Sequence, residues 1–225
     1  MRQNLVSSAL LHSSKQYCWL FLRDAALASV IHIEQIVKGG PQPDTSELSE
    51  LLQNQRTTPL HVLELGSGCG IVGIALAELL PQCSVLLTDL PEVEDIVTHN
   101  MAAARPAPSS KIEYRNLDWD ESLPEDLSPM DLILISDCTY NADSLPALVT
   151  VLDQLVQRSP NALILVALKR RHESEAVFFD LMQSAGLYNR QQTRTLSLPS
   201  QHDQLDRIEL YCYGRDQPPT HNLDP

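Results

Sequence analysis

From Leu60 onward, short continuous apolar runs alternate with longer stretches whose apolar residues recur at helical spacing. The runs predict strands over 60–65, 83–88, 111–115, 131–136, 162–167, 191–196 and 207–213. The longer stretches predict helices over 70–80, 91–103, 143–158 and 172–185. A further helix is predicted over 17–37, "YCWLFLRDAALASVIHIEQIV", followed by a loop, "KGGPQPDTSELSE", broken by Gly and Pro. Strands that are apolar throughout, alternating with helices, mean an α/β fold: a mostly parallel sheet covered on both faces. Such sheets bind ligands outside the carboxyl ends of their strands, where the strand order reverses. The pattern divides the chain into an N-terminal helical segment and linker (1–59), an α/β domain (60–214) and a disordered tail (215–225).

Composition narrows the class. The 225 residues suit one globular domain, and 43% of them are hydrophobic. The net charge is −13. Non-specific nucleic-acid binding needs a positive surface, so no nucleic acid is expected as a partner. A basic partner, such as a lysine-rich protein surface, suits this charge, which also serves solubility alone. The cysteines (Cys18, Cys69, Cys83, Cys138 and Cys212) are scattered, odd in number and form no CxxC pair. A disulfide framework and a zinc site are therefore not expected, and no other metal spacing is present. A reducing compartment fits, which means cytoplasm, with the nucleus left open. No apolar run reaches the roughly 18 residues of a membrane span. Arg23 and Asp24 interrupt the apolar part of the N-terminus, unlike a signal peptide.

The chemistry begins at "LHVLELGSGCGIVGIALAEL", Leu60 to Leu79. The dinucleotide fingerprint GxGxxG would place its third glycine at Ile71; here the glycines run Gly66, Gly68, Gly70, with Glu64 two residues ahead. Glycines let the backbone pass close beneath a ligand, and Glu64 suits a cationic environment, directly or through water. Asp89 stands at the end of the second strand, where a carboxylate can accept both hydroxyls of a ribose or can cap the following helix. After the third strand, Trp119 can pack on an adenine ring, and Asp118 can accept from its amino group; a satellite core tryptophan is the alternative. The fourth strand ends "LILISDCTYN", bringing Ser136, Asp137 and Tyr140 to the mouth of the expected cleft.

In order and spacing, "VLELGSGCGIVGIALA", "TDLPEV", "NLDW", "DLILISDCTYN" and "ALKRRHESEAVFFDLMQSAGL" together resemble the seven-β-strand protein-lysine methyltransferases of the methyltransferase-like 21 type, methyltransferase family 16. The resemblance covers about residues 60–213. It implies a Rossmann-like class I methyltransferase fold with strand order 3-2-1-4-5-7-6, strand seven antiparallel. It implies S-adenosylmethionine as cofactor and a protein presenting a lysine as acceptor. The cofactor would be held by Gly66, Ser67 and Gly68, by Asp89, by Trp119 and by Ser136. The family's (D/E)xxY motif matches Asp137 to Tyr140 and would border the acceptor. Family members carry a cofactor-contacting tryptophan before the first helix, for which Trp19 is the candidate.

Methyl transfer to an amine needs alignment and exclusion of water more than it needs an activated donor. Asp137 is expected to attract and orient the lysine ammonium, with Tyr140 against its stem; alternatively, Asp137 caps the next helix. Lys169-Arg170-Arg171-His172 reads as a solvated run, with a rim contact to an acidic feature of the substrate as the alternative, and Cys69 and Cys138 read as small fillers. The chain is expected to act as a monomer. Small-molecule N-methylation, a non-catalytic cofactor-binding or interaction role and NAD chemistry are the competing readings. The last is weakened by Ile71.

Overall fold

The computed structural model describes residues 24–39, 46–54, 59–170, 174–191, 194–199 and 205–215. Trp19 and residues 216–225 lie outside the described residues. The elements in chain order are α1 (Asp24–Lys38), α2 (Glu47–Gln53), β1 (Leu60–Leu65), α3 (Ile71–Leu79), β2 (Cys83–Asp89), α4 (Glu94–Ala103), β3 (Lys111–Asn116), β4 (Leu132–Ser136), α5 (Leu145–Arg158), β5 (Leu163–Leu168), α6 (Ser174–Ser184), β6 (Leu187–Asn189), β7 (Arg194–Pro199) and β8 (Leu205–Arg215). Short 3-10 turns, Pro91–Val93 and Ala142–Ser144, lead into α4 and α5.

The strands form one sheet in the order β3-β2-β1-β4-β5-β8-β6, with β7 also paired to β8. Strands β1 to β5 are mutually parallel where they pair, and β8 runs antiparallel to β5. The expected order holds, with one refinement. The sixth strand is divided: β6 pairs with the end of β8 and β7 with its start, both on the edge away from β5.

Burial explains the order. β4 and β5 are apolar at nearly every position, and β1 carries only His61 and Glu64 as polar residues; these three strands occupy the centre, buried on both faces. β3, "KIEYRN", is largely exposed and forms an edge. Alternate side chains point to opposite faces. Val62, Leu132, Leu134 and Leu165 join one core with α1, α2 and α3; Leu63, Leu65, Ile133, Ile135, Ile164 and Val166 join the other with α5 and α6. Ala25, Ala28, Ile33 and Ile36 of α1 thus share a core with Val72 and Leu76 of α3.

The chain moves outward from β1 through β2 to β3, then returns to place β4 on the other side of β1. The strand order reverses there, and the loops after β1, β2, β3 and β4 gather around that point.

Candidate functional site

The turn after β1 is held on three sides. Gly66, Gly68 and Gly70 all have left-handed φ values, +62°, +54° and +75°. Gly66 also needs its missing side chain: a Cβ there would lie 2.7 Å from Cys138 Sγ and 3.2 Å from Trp119 Cζ2. A Cβ on Gly68 would meet nothing within 4 Å, because that residue faces open space. The amide of Ser67 donates to Thr88 O at 3.0 Å, and that of Gly68 to Asp89 Oδ2 at 2.7 Å. From α4, Asn100 Nδ2 donates to Cys69 O at 2.8 Å. The turn is therefore built on β2 and α4 rather than on its own sequence alone.

A cavity of about 740 Å³ opens over this turn. Its wall includes Glu64, the Gly66-Ser67-Gly68 turn, Asp89, Trp119, Ser136, Asp137 and Tyr140. The structure brings these sequence-predicted residues together. Asp118 is different: its side chain is exposed, accepts the Asp120 amide at 3.0 Å and is not part of the cavity wall. Asp118 opens a turn, its carbonyl accepting the Glu121 amide at 3.2 Å, and that turn leaves Trp119 facing the cavity while the Asp118 carboxylate faces out.

Each wall residue has a local cause. Glu64 is buried, and its Oε2 accepts the amide of Gly73 in the first turn of α3 at 2.8 Å. Burial, with Cys69 and Asp89 nearby, pushes its carboxyl up to about 8, against the lowering effect of the Gly73 amide. Asp89 spends one lone pair per oxygen on the amides of Gly68 and Leu90. Each oxygen keeps a second lone pair for a ligand hydroxyl. Ser136 shares a 3.0 Å hydrogen bond with Ser29 of α1, and Ala26 of the same helix lines the cavity. Asp137 is 5% exposed and has φ +58°, a left-handed conformation that only a fixed surrounding maintains. Its amide donates to Ala167 O at 2.9 Å. Cys138 is buried beneath Gly66, and burial raises its thiol far above the ordinary range, which suits a small filler.

The acidic groups in the cavity wall are Asp89, Glu92 and Asp137, with buried Glu64 keeping its proton at neutral pH; among the described residues no lysine, arginine or histidine lines it. Among the described residues a pyrophosphate has no cation to meet on this wall. Ser67 Oγ is buried without a hydrogen-bond partner among the described residues, and Ser67 itself is 6% exposed. That orphaned hydroxyl, the open face of Gly68 and the spare acceptors of Asp89 fit a nucleoside that also carries positive charge, which describes S-adenosylmethionine.

Sequence reasoning missed Ser29, Ala26, Glu92 and Asn100. Asn100 left a trace: it interrupts the inward face marked by Val97 and Met101 at helical spacing. The run after β5 is paired rather than merely solvated. Lys169 Nζ lies 2.5 Å from Asp206, and Arg170 donates to Glu209 at 2.7 Å and to Tyr211 OH at 2.9 Å. Arg171 and His172 lie outside the described residues. Among the described residues no cluster of metal-ligating side chains occurs.

Residues 9–185 match the family model described as lysine methyltransferase. The chain belongs to the lysine methyltransferase family. Among its relatives, the UPF0665 family protein C23C4.06c of Schizosaccharomyces pombe is 35% identical over 120 residues, 53% of this chain and 36% of that protein. The protein-lysine N-methyltransferase EFM6 of Saccharomyces cerevisiae is 30% identical over 137 residues, 53% of each chain. The protein N-lysine methyltransferase METTL21A of Danio rerio is 34% identical over 122 residues, 52% of this chain and 53% of that one. The matched stretch thus spans about a third to a half of these relatives. Solved structures agree on the Rossmann-like methyltransferase fold. A precorrin-6y C5,15-methyltransferase from Geobacter metallireducens superposes with a TM-score of 0.58 at 9% identity, over 96% of this chain and 99% of that one. A SAM-dependent methyltransferase from Methanosarcina mazei gives 0.56 at 13% identity, over 76% and 98%.

Proposed function

We propose that this member of the lysine methyltransferase family is an S-adenosylmethionine-dependent N-methyltransferase that modifies a lysine side chain of a protein. The observation that carries the reading is the cavity at the strand-order reversal, whose charged wall groups are all carboxylates. Donor and acceptor both bring positive charge to it. The names of EFM6 and METTL21A support the acceptor class.

S-adenosylmethionine, when bound, supplies a methyl group already activated by the sulfonium charge. Gly66, Ser67 and Gly68 hold it from below, Asp89 accepts from its ribose hydroxyls, and Trp119 packs on its base. Glu64, Ser136 and, from outside the described residues, Trp19 complete the set. Asp137 attracts and orients the lysine ammonium, and Tyr140 packs against the stem. At pH 7 only about one free lysine in 2,500 is neutral. Partial desolvation in the cavity disfavours the ammonium and releases its proton to water. Alignment and exclusion of water then supply the bulk of the rate, up to about 7–11 kcal/mol in favourable cases.

The protein works as a monomer on a protein partner, not on nucleic acid, in the cytoplasm, with a nuclear location left open. The buried thiols of Cys69, Cys83, Cys138 and Cys212 support a reducing compartment. No described helix is long and apolar enough to cross a membrane.

The test is calorimetry with S-adenosylmethionine and with NAD, followed by incubation of the protein, methyl-labelled donor and a cell lysate. The expected result is heat with the first ligand only, and label recovered as methyl-lysine in protein. Label in small molecules, or no transfer, would sink the acceptor assignment.

A further inference from the structure

Two large side chains on the cavity wall are apolar yet exposed: Leu90, 44% exposed, after β2, and Tyr140, 59% exposed, after β4. β2 and β4 flank β1, so the strands that carry them stand two spacings apart, roughly 10 Å. The cavity that both side chains line has room for the aliphatic stem of one long side chain. Each lip is followed by a 3-10 turn with an exposed carboxylate, Glu92 in Pro91–Val93 and Asp143 in Ala142–Ser144. Neither carboxylate enters an ion pair among the described residues.

The loops that follow β1 to β4 carry charge of one sign only. The chain has no lysine or arginine from residue 57 to 104, nor from 116 to 157. Those segments contain every loop that follows β1, β2, β3 and β4 at the carboxyl edge. After β5, the cations Lys169 and Arg170 are tied to Asp206 and Glu209. An incoming segment therefore meets carboxylates and an apolar lip, with no lysine or arginine in the loops that follow β1, β2, β3 and β4.

We propose that the cavity mouth is a docking surface for a basic protein segment: one lysine enters between Leu90 and Tyr140, and lysine or arginine side chains beside it lie against Glu92 and Asp143. The inference rests on the reading that this cavity takes a methyl donor and a lysine. The apolar lip fixes the register of the entering stem. The carboxylates steer the segment and discriminate against acidic neighbours, an effect that salt screens beyond about 8–10 Å. Phosphate-rich chains are repelled by the same rim.

The test uses short peptides with one lysine flanked by arginines, by serines or by glutamates, methyl-labelled donor, and calorimetric donor binding in parallel. The expected order of kcat/KM is arginine, serine, glutamate, with a ratio on the order of tenfold between the extremes that shrinks at high salt. Glu92→Lys combined with Asp143→Lys should collapse or invert that ratio, and Glu92→Gln with Asp143→Asn should reduce it. Equal rates for the three peptides would overturn the proposal. So would a ratio indifferent to both double variants, or no peptide methylated by a protein that binds the donor. Absence of donor binding would instead remove the reading of the cavity itself.

Discussion

The amide of Gly68 donates to Asp89 Oδ2 at 2.7 Å, joining the turn after β1 to the carboxyl end of β2. One carboxylate thus shapes the glycine turn and faces the cavity. Asp89→Ala removes both roles at once. Hydrogen bonds to a charged group contribute about 1.5–3 kcal/mol each. Losing the pair to a ribose should weaken S-adenosylmethionine binding by at least about 100-fold. Calorimetry on Asp89→Ala checks this, and binding within a few-fold of the parent protein would show that the ribose is held elsewhere.

The parts of the fold visible in the sequence are those with a strong local signature. β1, β4 and β5 are continuous apolar runs, and β1 falls on its expected bounds. β6 has only three residues, too few for a period to register. α2 hid in a Pro- and Ser-containing stretch read as loop, although Ser46 Oγ accepting the Ser49 amide at 3.2 Å is an ordinary N-cap. β7 begins three residues later than expected, because the sixth strand is interrupted between Asn189 and Arg194. In the site, Gly66, Asp89 and Trp119 were readable because strand ends and turns follow chain order. Ser29 and Asn100 were not, since each acts through space on a residue far away in sequence. Asp118 shows the converse: adjacency to Trp119 did not decide where its carboxylate points.

Glu64 makes the protein sensitive to pH in a definite direction. In the folded chain its carboxyl is pushed up to about 8 from 4.5, mainly by burial. Between those values the folded state holds a proton that the unfolded chain has released, so stability falls as pH rises through the window and levels off above about 8. Glu64→Gln keeps a neutral acceptor for the Gly73 amide and should flatten the dependence of Tm on pH between 5 and 8. A cationic ligand favours the ionised carboxyl, so donor affinity should increase from pH 6 to pH 8, with proton release seen as buffer-dependent heat. Parallel Tm profiles of the two proteins would contradict this role.

Asp137 combines a carboxylate in the cavity wall with a left-handed backbone. The two contributions separate by substitution. Asparagine tolerates that backbone almost as well as aspartate and removes the charge. Asp137→Asn should keep Tm and donor affinity near the parent values while lowering turnover on lysine at least about tenfold, by loss of ammonium orientation. Asp137→Ala adds strain of about 1–2 kcal/mol, and should melt several degrees lower. Full activity in Asp137→Asn would leave the residue a purely structural part.

Asn100 tests whether the glycine turn is positioned from outside. Its side chain is buried, and its Nδ2 donates to Cys69 O at 2.8 Å, two residues beyond Ser67, whose own amide is held by Thr88 O. Asn100→Ala removes the buried Nδ2 bond to the Cys69 carbonyl, a cost of about 1–3 kcal/mol. The turn carries no atom of the acceptor side, so the effect should divide unequally: KM for S-adenosylmethionine rises several-fold, while kcat at saturating donor stays within about twofold. Asn100→Asp offers no donor to the carbonyl and should not restore the parent KM, whereas Asn100→Gln, if its longer amide reaches Cys69 O, should do so in part. A fall in kcat with KM constant would mean that α4 supports the chemistry by a route other than the turn.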